Sequence, residues 1–411
     1  MAFLWWQLKE STRLIKPLSM ETTALVPGPS PVAPEIIGDE DASLIHLRRG
    51  DLFAERGEWA DAQEEYAKSV DAGGGLPSLR KLAQSQLQRR DIKGVEATIK
   101  KMKAGGARPE DLLLLESIIK LRGGELVDAN NLLQGAADSP QQHYGLALLA
   151  IIEGNHPEAQ HQLELTIAGW DPVLRSYAKT LSSAYAEFGL FPEGSPMHLT
   201  TLLSRALAQV QECEIALPLL TQVTNAKDDY RDAWIVQGYC ELVTERPDQA
   251  LASLQHAYSL DPQKPEIQYF LARAYGDLYQ QQNAITFLGY ALSNGFEPQS
   301  EVHRLIAKNA LALGNGELAL EHEDAMTKLD TATVESFESY AAVASSLKKY
   351  DEAYGKAKTA VQRWPDDPRP YVLLATAAVA LDKKDEAKEA LKKALEINPR
   401  YAPAKEMMGK L

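Results

Sequence analysis

From Arg231 to Pro399 the chain repeats itself with a period of about 34 residues, and this recurrence limits its possible folds more than any other property. Counted from Arg231, the residues Trp234, Gly238, Ala250, Leu254, Ala257 and Pro262 fall at positions 4, 8, 20, 24, 27 and 32. Ala272, Tyr275, Ala284, Leu288 and Ala291 repeat the pattern one period later. Ala307, Ala310, Gly314, Ala319 and Met326 come next, followed by Ala341, Ala344, Ala353, Ala357, Ala360 and Pro365. Tyr371, Ala375, Ala378, Ala387, Leu391, Ala394 and Pro399 close the series, so five successive units keep one register. The residue types have a physical reason. Small side chains at positions 8 and 20 let two antiparallel helices approach closely, and an aromatic or leucine at 4, 11 and 24 fills the gap to the next pair. Proline at 32 stops the second helix. One such pair cannot bury its own apolar face, so the pairs must stack.

Upstream the spacing holds while the residue types drift. Weaker units can be read with Gly50, Phe53, Gly57, Trp59, Ala62 and Tyr66; with Ala83, Val95 and Ile99; with Gly124, Ala129, Leu133 and Ala136; and with Ala147, Gly154, Ala159 and Leu163. Between Trp170 and Met197 the register is interrupted, and the pattern predicts an extra helix over about Val173 to Glu187 followed by a loop to Pro196. A further hairpin over about His198 to Asn225 leads back into the good repeats. At 411 residues the chain is too long for one ordinary core, yet no compositional break divides it after residue 40. A composition of 45% hydrophobic but only 7% aromatic residues, rich in alanine and leucine, favours helices over sheets.

The endings Leu260-Asp261-Pro262 and Ile397-Asn398-Pro399, added to this register, resemble the tetratricopeptide repeat family. The resemblance implies an all-α, right-handed superhelical solenoid of about ten antiparallel helical hairpins. The expected organisation is an N-terminal amphipathic segment and proline-rich linker over 1–40, then degenerate repeats over 41–171. The extra helix and loop occupy 172–197, the repeats resume over 198–399, and a short cap helix fills 400–411.

In tetratricopeptide arrays the first helix of each hairpin lines a concave groove, with positions 2, 5, 9, 12 and 13 pointing into it. Carried onto this chain, position 9 gives Arg205, Tyr239, Arg273 and Lys308, and position 5 gives Thr201, Ile235, Tyr269 and Arg304. The resemblance therefore implies a partner-binding groove built from Arg205, Tyr239, Tyr269, Arg273, Arg304 and Lys308. Basic groups interleaved with tyrosines suit an extended peptide that carries acidic side chains or a C-terminal carboxylate. The competing reading makes them ordinary amphipathic side chains paired with Asp232, Glu266 and Glu301. The family's chaperone-binding clamp, with lysine at 5 and asparagine at 9, is missing, so a chaperone-adaptor role is not implied.

Several classes are disfavoured. The net charge is -14, from 43 basic and 57 acidic residues, so the average field repels nucleic acid. The segment from Lys348 onward differs, with 14 basic and 10 acidic residues. Cys213 and Cys240 form no CxxC and read as buried thiols of a reducing compartment, with neither a disulfide framework nor a zinc site. The eight histidines are scattered, and no HExxH or His-Cys cluster appears. Gly73-Gly74-Gly75 and Gly105-Gly106 join helices and lack a phosphate-binding signature, and Ser195 lacks the second glycine of a nucleophile elbow. No enzyme class, cofactor or metal is expected. No run reaches a membrane span, and the opening Met1-Ala2-Phe3-Leu4-Trp5-Trp6 is too short for a signal-peptide core, so a cytoplasmic address is expected. The alternative is a membrane-associated assembly factor anchored by residues 3–18, where Trp5 and Trp6 lie beside Lys9, Arg13 and Lys16.

Overall fold

The computed structural model describes residues 42–411 except 56, 57 and 192. The amphipathic segment and linker expected over 1–40 lie outside the described residues. Those residues form 22 helices and no strand, an all-α solenoid of antiparallel helical hairpins. The chain divides into two compact units at the turn between Arg246 and Pro247.

In the first unit α1 (Ala42–Glu55) pairs with α2 (Trp59–Asp71), and α3 (Gly75–Gln88) packs with α4 (Ile92–Ala104). Next come α5 (Pro109–Arg122) with α6 (Leu126–Gln134) and α7 (Pro140–Ile152) with α8 (His156–Ala168). The 17-residue α9 (Pro172–Phe188) packs between α8 and α10 (Pro196–Gln209). Then α10 pairs with α11 (Cys213–Ala226), against which α12 (Arg231–Val243) packs. The second unit runs from α13 (Pro247–Leu260) and α14 (Pro265–Asp277) through α15 (Gln281–Ser293) to α16 (Gln299–Ala312) and α17 (Gly316–Lys328). It ends with α18 (Val334–Ser346), α19 (Tyr350–Arg363), α20 (Pro368–Ala380), α21 (Lys384–Ile397) and the short α22 (Ala402–Met408).

Local chemistry explains where the helices start and stop. Proline stands in the first turn of α5, α7, α9, α10, α14 and α20, where its missing N–H costs nothing. Asp171 caps α9 by accepting from the amides of Val173 and Leu174 at 2.9 and 3.1 Å. In the turns that follow α10, α12, α14, α16, α18 and α20 one residue takes a left-handed conformation: Gln211, Glu245, Tyr279, Gly314, Lys348 and Asp382, spaced 34 or 35 apart. The close approach at position 8 is visible at Gly50, where an added Cβ would lie 2.5 Å from the buried ring of Tyr66.

The first unit is more than a stack of nearest neighbours. Arg122, at the end of α5, donates from Nε to the Glu212 carboxylate at 2.8 Å and from its Nη atoms to the carbonyls of Leu87 and Gln211, both at 3.1 Å. Its side chain is 4% exposed and that of Glu212 is 7% exposed. Arg90 reaches Glu214 at 3.0 Å beside it. Burial pushes the Glu212 carboxyl above its usual range, and the Arg122 charge offsets part of that rise. An ordinary solenoid joins each repeat only to the next. Here the α10–α11 turn is tied to the end of α5 and to the α3–α4 turn, 90 residues and more earlier in the chain.

Candidate functional site

The expected groove residues lie on first helices in both units, and their surroundings differ. Arg205 on α10 is ion-paired with Glu187 of α9. Tyr239 on α12 is half-buried against the core that contains Cys240, Leu202 and Val236.

In the second unit Tyr269, expected among the residues lining the groove, is only 5% exposed. It stacks on Phe296 with centroids 4.2 Å apart and planes 13° from parallel, and it meets Phe270 edge-on. Its hydroxyl donates to Glu301 Oε1 at 3.2 Å. Burial, with Glu301 beside it, pushes the phenol pKa well above its ordinary value, while Arg273 pulls the other way. Two consecutive aromatics after Gln268 meet a third that follows α15, so this tyrosine belongs to the core and only its hydroxyl reaches the charged face.

Around that hydroxyl stands a set of charges. Arg304 donates from Nε and Nη2 to the two oxygens of Glu301 at 3.0 and 2.7 Å. These hydrogen bonds raise its pKa, against the opposing effect of burial. The pair is one turn apart on α16, and the arginine side chain is 55% exposed. Lys308, one turn further along, is exposed and has no ion-pair partner among the described residues. Arg273 is half-buried near Tyr269, on the neighbouring first helix. The competing reading is met in part: Glu301 neutralises Arg304, whereas Asp232 pairs with Arg231 and Glu266 with Lys264.

The arrangement can exchange one carboxylate for another. An exposed arginine held by a carboxylate on its own helix releases it at small cost, since such pairs contribute about 0.3 to 0.5 kcal/mol. Sequence reasoning missed Glu323, a buried carboxyl on α17 whose Oε2 has no hydrogen-bond partner. Burial raises its pKa to about 7, and Arg304 opposes that rise. The signal was present: Glu323 stands at position 24, where Leu254, Leu288 and Leu391 stand in other units. Among the described residues no group of three or more His, Cys, Asp or Glu could hold a metal ion. No helix among them is long and apolar enough to cross a membrane.

Antiparallel hairpins at this spacing, with small residues at the helix crossings and a basic cluster on first helices, define a helical-repeat protein. Residues 201–265 and 345–411 each match a Tetratricopeptide repeat family model, so the chain carries tetratricopeptide repeats in these two stretches. No curated protein sequence matches it. Among solved structures it is similar to YrrB, described as a TPR protein with an unusual peptide-binding site, at 18% identity and a TM-score of 0.38 over 47% of this chain and 98% of that one. It is similar to pilF of Pseudomonas aeruginosa at 15% identity and a TM-score of 0.39, over 52% of this chain and 97% of that one. Yeast Tom70 matches 90% of this chain and 94% of its own at 13% identity and a TM-score of 0.32. Identities and scores are low, and neither function nor partner is read from them.

Proposed function

We propose that this chain is a non-catalytic scaffold that holds protein partners on the first-helix faces of its hairpins, with a cytoplasmic address that its two buried free cysteines suit. In the second unit the partner is a peptide bearing carboxylates, taken up by Arg273, Arg304 and Lys308. The observation that carries this reading is the exposed pair of cations on α16: Lys308 without an ion-pair partner among the described residues, and Arg304 paired only with Glu301 of its own helix. Each charge-assisted bond to an incoming carboxylate contributes about 1.5 to 3 kcal/mol. Tyr269 enters through its hydroxyl and through the rigidity its stacked ring gives to this face.

The test is a pull-down with the full chain, identification of the bound protein, and repetition with Arg273→Glu and Lys308→Glu combined. Loss of capture with at most a small change in thermal unfolding is expected, since Lys308 is exposed and Arg273 is only half-buried. Unaltered capture by the double variant would refute the basic-face mechanism.

A further inference from the structure

The hairpin of α16 and α17 departs from its neighbours at the positions that build the core. With Ala307 at position 8, position 4 is His303, where Trp234, Phe337 and Tyr371 stand in other units, and position 24 is Glu323. His303 meets His322 across the hairpin, with the two Nδ1 atoms 2.8 Å apart and the ring centroids 5.0 Å apart. At that distance one Nδ1 must carry a proton and the other must not. When both rings are fully protonated, the contact holds two N–H groups facing each other and two like charges. The bond therefore exists only while at least one imidazole is neutral.

The surroundings favour the neutral form. Burial lowers the affinity of both rings for a proton, His322 lowers that of His303 further, and Glu321 partly restores that of His322. The charged groups on the hairpin itself are Glu301, Arg304 and Lys308 on α16, and Glu317, Glu321, Glu323, Asp324 and Lys328 on α17. The packed helix α15 contributes no Asp, Glu, Lys, Arg or His. On the other side α18 brings Glu335, Glu338 and Tyr340, and Lys356 of α19 binds Asp324 at 2.5 Å. Arg304 is held by Glu301 and Lys356 by Asp324.

We propose that the His303–His322 bond makes this hairpin an acid-released element of the second unit: the second proton breaks the bond and opens 299–328. Opening removes the Arg304 and Lys308 surface. That last consequence rests on the partner-binding reading above, and the opening does not. Sign and window follow from linkage. A histidine whose folded pKa lies below its unfolded value of 6.5 stabilises the fold above that value, and the stability is lost as the pH falls through the folded pKa. Glu323 acts in the opposite sense, since its raised pKa withdraws stability as the pH climbs from 4.5 toward about 7. The two slopes oppose each other between 4.5 and 6.5, so the histidines are best examined with Glu323 replaced by glutamine.

The experiment is amide hydrogen exchange on the full chain carrying Glu323→Gln, at about pH 7.5 and about pH 5.5, corrected for intrinsic exchange rates. The opening equilibrium of 299–328 should rise about tenfold per pH unit below the unfolded histidine pKa for each proton taken up on opening, while 368–397, which has no histidine, stays level. Adding His303→Phe and His322→Leu should remove the slope. A flat response in 299–328, or a slope that survives the histidine replacements, would overturn the proposal. If the doubly replaced hairpin fails to fold, His322→Asn keeps a hydrogen-bonding group that does not titrate, and the slope must then fall to no more than the one proton that buried His303 still takes up. Capture of the identified partner is then measured at both pH values. Acid opening without loss of capture refutes the assignment of the partner to this face and leaves the proton-released hairpin standing.

Discussion

The Arg122 guanidinium and the Glu212 carboxylate are joined at 2.8 Å across 90 residues of chain. Both are buried, and the arginine also satisfies the carbonyls of Leu87 and Gln211. The contact closes the first unit on itself, which stacking of adjacent hairpins alone would not do.

Removing one partner leaves the other charge uncompensated. Arg122→Ala should cost about 3 to 5 kcal/mol, whereas Arg122→Met combined with Glu212→Leu should cost much less, because no lone buried charge remains. Guanidinium denaturation followed by hydrogen exchange in 109–122 and 211–226 provides the measurement. Equal losses in the single and double variants would show that the ion pair does not hold the two segments together.

Tyr269 and Arg304 share the carboxylate of Glu301 yet should respond differently to truncation. Tyr269→Ala empties a buried site against Phe296 and should destabilise the second unit by about 3 to 5 kcal/mol. Arg304→Ala removes one exposed pair on a single helix and should cost less than about 1 kcal/mol. Thermal unfolding of the two variants separates a core residue from a surface one, and similar losses would contradict the burial seen here.

Tyr279 occupies the turn after α14 with a φ of 57° and is 84% exposed. A bulky side chain gains nothing there and carries the steric cost of the left-handed region, about 1 to 2 kcal/mol, part of which glycine returns as chain entropy. Tyr279→Gly should therefore raise stability by up to about 1 kcal/mol, read as a higher denaturation midpoint. A drop would mean that the ring makes a contact worth more than the strain.

Glu323 is a carboxyl where a leucine belongs. Glu323→Leu should stabilise the second unit most above pH 7, where the buried group must ionise. The gain should shrink as the pH falls from about 7 to 4.5, because protonation removes the charge that burial penalises. Unfolding curves at several pH values test this, and a gain that grows toward acid would reverse the assigned sign.

Much of the fold was legible because its causes are local. Alanine and glycine at helix crossings, leucine or an aromatic at the packing positions and proline at the ends act within one hairpin, so spacing alone reveals them. The left-handed turn residues were harder to see, since Gln211, Glu245, Tyr279, Lys348 and Asp382 stand where glycine would have announced the turn. At the candidate site the sequence marked which helix carries each cation, because register sets the face. It offered Glu301 as a partner for these cations, but it did not reveal that Tyr269 is stacked beneath that face or that Glu187 holds Arg205.

The sequence by itself determined the hairpin, its period and the class of side chain at each core position, because each depends on residues less than one repeat apart. Only the tertiary structure decided the Arg122–Glu212 bond, the burial of Tyr269 and the facing of His303 with His322. Each of these depends on how one helix packs against another, and that is settled by the summed packing of a unit rather than by any local pattern.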